Sequence, residues 1–183
     1  MSNERQELAE IIRRKSLKTG EFVLSSGKKA SYYLDCRMST LDPRGAMLIA
    51  RLILDKIAAL KIEADAIGGL TLGADPIATA VAVISGLDGR PLPAFIVRKE
   101  AKGHGMQRYI EGWDGKPGSR VVIVDDVCTS GDSILKAAEK AEEAGYQVAA
   151  TLCVVDREEG GTEAIRRRYF FYPLFTAREL LKP

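Results

Sequence analysis

Apolar positions fall into two alternating periods along the chain. Leu8, Ile11 and Ile12 share one face of an otherwise charged segment, which predicts an amphipathic helix over Asn3 to Lys15. Gly20 punctuates. Glu21 to Leu24 and Ser31 to Asp35 have strand-like composition and flank a turn at 25–29 that carries Lys28 and Lys29. Asp42-Pro43 is a helix start with an acidic cap and proline just inside, and Met47, Ala50, Leu54 and Ile57 recur behind it as far as Leu60. Ala64 to Gly68 reads as a strand, Gly68 to Asp75 as a glycine-rich loop, and Ile77 to Ile84 as a small-residue helix opened by Pro76. Pro93 to Val97, Val121 to Val124 and Gln147 to Val155 are further strands. The run at Val121 to Val124 is apolar on both parities, as in a central parallel strand covered on both faces. A helix follows from about Ser133, with Ile134, Ala137, Ala138 and Ala141 inward and Gly145 at its end. Thr162 to Arg168 (helix), Tyr169 to Leu174 (strand) and Thr176 to Leu181 (helix, capped by Thr176) complete an α/β pattern.

Composition narrows the classes. With 183 residues, 46% hydrophobic and 28% charged, the chain is expected to form one domain, 1–183, with a sizeable core. A net charge of +2 argues against nucleic acid by bulk electrostatics, so any cationic site must be local. Cys36, Cys128 and Cys153 are odd in number and show no Cys-x-x-Cys spacing, which disfavours a disulfide framework or a zinc site. The N-terminus lacks a signal-peptide core, and no apolar run reaches the roughly 20 residues of a membrane span. A soluble cytoplasmic protein without membrane contact is expected.

The chemistry gathers at strand ends. Asp125 and Asp126 follow the apolar strand at its carboxyl end, the ligand position in such sheets. Thr129, Ser130 and Gly131 then offer hydroxyls and open N–H groups at a helix N-terminus, a way to hold phosphate. Acids beside a phosphate cradle suit a ligand that also carries hydroxyls or a metal, and a phosphorylated sugar meets both conditions. Arg98, Lys99, Lys102, His104 and Arg108 crowd the segment after the Pro93 to Val97 strand. A solvated basic loop is the plain alternative there, but the placement fits a polyanion. Arg157 also falls at a strand's end, with an ion pair to Asp156 or Glu158 as its plain explanation. Neither a P-loop nor a dinucleotide Gly-x-Gly-x-x-Gly occurs.

Asp125-Asp126-Val127-Cys128-Thr129-Ser130-Gly131-Asp132-Ser133 resembles the signature by which type I phosphoribosyltransferases bind phosphoribosyl pyrophosphate (PRPP). Four further stretches resemble the orotate-specific members of that family: Phe22 to Lys28 with Tyr32-Tyr33, Gly68 to Ile77, Arg98 to Gly112, and Val155 to Gly160. Together these cover the chain from about residue 20 to 160. The resemblance implies the type I fold, a mainly parallel central sheet flanked by helices, with a small hood from about residues 1–40 and the C-terminal strand region. It implies that residues 125–133 hold ribose and 5-phosphate, with Asp125 and Asp126 facing the ribose 2- and 3-hydroxyls. Arg98, Lys99, Lys102 and His104 would contact pyrophosphate, and the loop from Gly69 to Asp75 would sit beside it. Thr129 and Arg157 would contact orotate. Lys102 and Asp126 are the implied catalytic residues. Mg2+ is implied as cofactor, held mainly by PRPP and water rather than by protein side chains alone. A homodimer sharing loop 98–112 across its interface is implied as well. Longer bacterial members carry lysine where Ser25 stands and Tyr-Lys where Leu72-Gly73 stands; Lys28 or the backbone amides of the 70s loop are the candidate replacements.

The implied reaction joins orotate to PRPP, giving orotidine 5-monophosphate and pyrophosphate in the synthesis of UMP. It needs positioning and charge stabilisation rather than a covalent nucleophile. A phosphoribosyltransferase for a purine is the nearest alternative, disfavoured by Arg157 and the Asp156-to-Gly160 ending. A PRPP-sensing regulator without catalysis is the other, disfavoured by Lys102, His104 and the low net charge.

Overall fold

In this computed structural model, which describes residues 3–23, 29–100 and 109–182, the predicted strands assemble around the apolar run at Val121 to Val124. In chain order the elements are α1 (Asn3–Lys15), β1 (Leu17–Val23), β2 (Lys29–Leu34), α2 (Arg37–Thr40), α3 (Pro43–Ala59), β3 (Ala66–Leu70), α4 (Ala74–Leu87) and β4 (Ala94–Val97). They continue with β5 (Ile110–Glu111), β6 (Arg120–Cys128), α5 (Asp132–Glu143), β7 (Gln147–Asp156), α6 (Gly161–Arg166), β8 (Phe171–Thr176) and α7 (Ala177–Leu181). Six strands form the main sheet in the order β5-β4-β3-β6-β7-β8, parallel except for the short edge strand β5. Among the described residues no helix is long and apolar enough to cross a membrane.

Both faces of β6 are covered, which is why its sequence shows no alternation. Val122 and Val124 belong to one buried cluster, with α1, α3, α4 and α7; Val121 and Ile123 belong to the other, with α5 and α6. The helices are set by ordinary local chemistry. Asp42 accepts the Gly45 N–H at 2.9 Å and so caps α3, with Pro43 opening it. Thr176 and Glu179 make a reciprocal capping box on α7. Gly145, with φ +87, turns the chain out of the helix just past α5.

Several boundaries differ from expectation. β6 runs on through Asp125 and Asp126 to Cys128, because β7 keeps pairing with it up to Cys128 opposite Asp156. Gly68 and Gly69 lie inside β3, not in a loop. A Cβ there would come within 2.3 Å of the Phe95 carbonyl oxygen or 2.1 Å of the Val124 carbonyl oxygen, so close strand packing explains them. On α3 the buried stripe is Gly45, Leu48, Ile49, Ala50 and Ile53. Of the four apolar positions expected there, only Ala50 is fully buried. Leu54 and Ile57 instead wall a surface groove of about 400 Å³ shared with Pro91 and Leu92. The helices α2 and α4 extend beyond, or add to, the predicted set, and β5 was not signalled by so short a run.

The hairpin β1–β2 forms its own antiparallel pair, with Gly20 at the irregularity between Thr19 and Phe22. The Asp35 N–H donates to the Ser16 carbonyl at 3.0 Å, and the Ser16 and Ser39 hydroxyls meet at 2.6 Å in the interior. These bonds tie the hairpin to the body at the level of residues 35–40. β8 lies in the main sheet, not in the hairpin's; the C-terminal end meets the N-terminal segment through α7, where Arg13 donates to the carbonyls of Leu180, Glu179 and Lys182. Replacing Ile123, which is fully buried, by alanine is expected to cost about 2–5 kcal/mol. Urea unfolding checks this, and a loss below about 1 kcal/mol would contradict the central placement of β6.

Candidate active site

The carboxyl end of β6 places two adjacent carboxylates in a region mostly stripped of water. Asp125 is 6% exposed and Asp126 half-buried. One oxygen of each accepts a neighbouring backbone N–H: Asp126 donates to Asp125 Oδ1, and Val127 to Asp126 Oδ1, both at 2.9 Å. Gly73 leaves room for both, since a Cβ there would lie 2.5 Å from Asp125 Oδ1 and 2.7 Å from Asp126 Oδ1. Burial, then the negative charge of Asp126, pushes Asp125 up to about 8. Burial also raises Asp126, opposed in part by its backbone bond and by the positive charge of Arg37. Lys99 supplies a smaller counter-charge to Asp125. The pair therefore offers both a donor and acceptors to vicinal hydroxyls.

Beyond the carboxylates the chain wraps a small cradle. A cavity of about 80 Å³ is lined by Asp125 and by 127–134, where β6 turns into α5. Gly131 takes the left-handed φ of +87 and no side chain caps α5, so the first-turn N–H groups of a 12-residue helix face the cradle. Ser130 Oγ donates to Asp132 at 2.8 Å. Cys128 contributes backbone only: its thiol is buried against Gly161 and pushed up to about 12 by that burial. The turn is braced from below, with Gly161 N–H donating to the Thr129 carbonyl at 3.0 Å and Arg157 N–H to the Cys128 carbonyl at 2.9 Å.

A larger cavity of about 390 Å³ opens from the carboxylates and shares Val127, Thr129 and Ser133 with the cradle. The β3–α4 turn (Thr71, Leu72, Gly73) walls one side, Arg157 joins from the end of β7, and Lys99 from the segment after β4. Tyr33 to Arg37, at the end of the hairpin, close over it. The Arg157 guanidinium lies 4.8 Å from the Tyr32 ring centroid, and its Nε donates to Glu159 Oε1 at 2.7 Å. The partner is thus Glu159, neither Asp156 nor Glu158. Arg98 donates to Glu111 at 3.1 Å, and its N–H to the Tyr109 carbonyl at 2.8 Å, which pins together the two ends of the basic segment.

The structure brings Asp125, Asp126, Thr129, Ser133, Lys99 and Arg157 to one cavity. Arg98 sits beside Lys99 but does not line that cavity. Lys102 and His104, like Ser25 and Lys28, lie outside the described residues. Sequence reading missed Asp35 and Arg37, and covered Thr71 only as part of the loop from Gly69 to Asp75. Asp35 and Arg37 follow the Tyr32-Tyr33 stretch and carried no spacing signal. Thr71, whose hydroxyl donates to Asp75 at 2.7 Å, was hidden among the glycines.

Comparison with known proteins bears on the same residues. Residues 39–172 match the phosphoribosyl transferase domain, a span that includes the carboxylates, the cradle and Arg157. The class is that of the phosphoribosyltransferases. The orotate phosphoribosyltransferase of Aquifex aeolicus is 47% identical over 97% of this chain and 98% of its own length. A crystal structure of the Mycobacterium tuberculosis orotate phosphoribosyltransferase in complex with Fe(III) dicitrate superposes with a TM-score of 0.86, at 44% identity over 97% of this chain and 99% of that one. The same enzyme in complex with PRPP gives 0.80 at 38% identity, over 97% and 98%. The chain belongs to the orotate phosphoribosyltransferase family.

The raised Asp125 has a consequence for stability. Its ordinary value is 3.8 and its folded value about 8, so across that window the folded state binds the extra proton. Stability from this group is therefore present below about pH 4 and is lost as pH rises towards about 8. Asp125→Asn is expected to flatten that decline in the unliganded protein, read as urea midpoints at about pH 5 and about pH 8. An equally steep decline in the variant would contradict the assignment.

Proposed function

We propose that this protein catalyses transfer of the 5-phosphoribosyl group from PRPP to orotate, in the synthesis of UMP. The observation that carries the reading is the continuity of the site. An anion cradle, a carboxylate pair and an arginine stacked on tyrosine line connected cavities in the order 5-phosphate, ribose and planar carboxylate-bearing base. The names of the relatives, and the PRPP complex among them, support the same chemistry.

In this reading the α5 N-terminus and the 129–133 backbone hold the 5-phosphate, with the hydroxyls of Thr129, Ser130 and Ser133 beside them. Asp125 and Asp126 hold the ribose 2- and 3-hydroxyls and keep C1 facing the open cavity. Arg157 presents its terminal N–H groups to the orotate carboxylate, a match for a planar acid, with Thr129 beside it. The bond from C1 to the pyrophosphate oxygen breaks with its electron pair leaving on pyrophosphate. A C1–N bond to the base forms, and the ring N–H proton is released. Arg98, Lys99, Lys102 and His104 neutralise the leaving group, while the ionised member of the carboxylate pair favours cationic character on the sugar. The 98–112 segment, shared with a second copy of the chain in a homodimer, excludes water from PRPP.

Mg2+ is the proposed cofactor. No cluster of three or more ligating side chains occurs among the described residues. Two carboxylates beside a polyanion site form an oxygen-only donor set that suits a hard cation keeping its own waters. When bound, it would supply charge neutralisation on the PRPP oxygens. The three cysteines are free and buried, in keeping with a place in the reducing cytoplasm.

The direct test is the absorbance of orotate with and without PRPP and Mg2+; loss only with both is expected. Lys102→Ala should lower kcat about 10²–10³-fold, the usual cost of one such contact, while changing orotate affinity little. An unchanged kcat would sink that role. Arg157→Ala should instead raise KM for orotate at least about tenfold and leave KM for PRPP nearly unchanged, as expected for one lost charge-assisted pair; equal effects on both substrates would count against its place at the base.

A further inference from the structure

We propose that Arg37 is a substrate-contacting residue that holds the pyrophosphate group of PRPP, and that Asp35 is the positioning residue that aims it. This rests on the reading that the cavity takes PRPP. Both residues lie at the junction of β2 and α2 and line the large cavity together with Asp125, Asp126, Lys99 and the 71–73 turn.

The geometry is that of a prepared cation. Asp35 takes the guanidinium on two points, Nε to Oδ1 at 2.8 Å and Nη2 to Oδ2 at 3.0 Å, and also accepts the Arg37 N–H at 3.2 Å. Among the described residues Nη1 has no hydrogen-bond partner, and the side chain is 54% exposed. The fork is thus fixed on one edge and open on the other, which suits a phosphate oxygen. As a surface ion pair, Asp35–Arg37 contributes little to folding.

Charge and position favour pyrophosphate over the base. The described walls of this cavity carry three carboxylates, Asp35, Asp125 and Asp126, against the cations Arg37, Lys99 and Arg157. A substrate with a pyrophosphate group adds further negative charge, which a cation on this wall would offset. Arg157 is placed over Tyr32, beside Glu159, at the end of β7. The charge of Arg37 acts instead on Asp126, which with Asp125 meets Gly73 of the 71–73 turn. In this proposal Arg157 serves the base and Arg37 the leaving group. The junction of β2 and α2 is bonded to the body through Ser16 and Ser39, which fixes the reach of the Arg37 side chain.

Steady-state kinetics and calorimetric titration with inorganic pyrophosphate, on the full chain with Mg2+, test the proposal. Arg37→Ala is expected to raise KM for PRPP and the Kd for pyrophosphate by about tenfold or more, with KM for orotate within about twofold and the urea midpoint unchanged. Arg37→Lys should recover part of the loss, because it restores charge but not the fork. Asp35→Asn should fall between wild type and Arg37→Ala. PRPP and pyrophosphate constants within about twofold of wild type in Arg37→Ala would overturn the proposal, as would a change confined to orotate. Failure of the wild-type protein to bind pyrophosphate or turn over PRPP would instead remove the reading on which the proposal rests.

Discussion

Two neighbouring carboxylates cannot both stay ionised at the buried end of a central strand without help from their surroundings. Asp125 and Asp126 meet that constraint, and most of the surrounding design answers it. Backbone N–H groups of Asp126 and Val127 satisfy one oxygen of each. Gly73 lets the β3–α4 turn pass close to both. Lys99 and Arg37 bring positive charge from two other segments. What remains is a pair with unspent hydrogen-bonding capacity, opening onto a cavity. Burial makes the pair costly in the empty protein and useful to a ligand with hydroxyls.

The fold fixes that pair and leaves its partners adjustable. β6 is clamped between β3 and β7 and covered on both faces, so the carboxylates sit on a rigid element. The cradle follows directly, on the first turn of α5. The cations come from the periphery: Lys99 after β4, Arg157 after β7, and Arg37 at the start of α2. Chemistry on loops around a fixed strand is the usual division in open α/β sheets.

How much was legible in the sequence followed the range of each signal. The stripe Ile134, Ala137, Ala138, Ala141 and the Asp42-Pro43 cap are local patterns, and both appear as expected. The site stretch 125–133 was readable because strand, acids and small-residue turn are consecutive. The end of β6 was not, because pairing with β7 carries the strand through two acids that local propensity would exclude. Gly68 and Gly69 looked like turn residues; only the neighbouring carbonyls of Phe95 and Val124 show that they serve close packing. On α3, which apolar residues are innermost depends on where α1 and α4 lie, and helical spacing alone leaves that rotation open. Arg37 was overlooked for the same reason. Its importance comes from a cavity made by distant segments.

We propose that Asp125 and Asp126 anchor the ribose in this site. The most direct measurement compares binding of ribose 5-phosphate and 2-deoxyribose 5-phosphate by calorimetry, in the wild type and in Asp125→Asn and Asp126→Asn. Loss of a hydroxyl held by a buried acid should weaken binding to the wild type by about tenfold or more, and the gap should narrow in at least one variant. Equal affinity of the wild type for the two sugars, or a gap undiminished in both variants, would contradict the account.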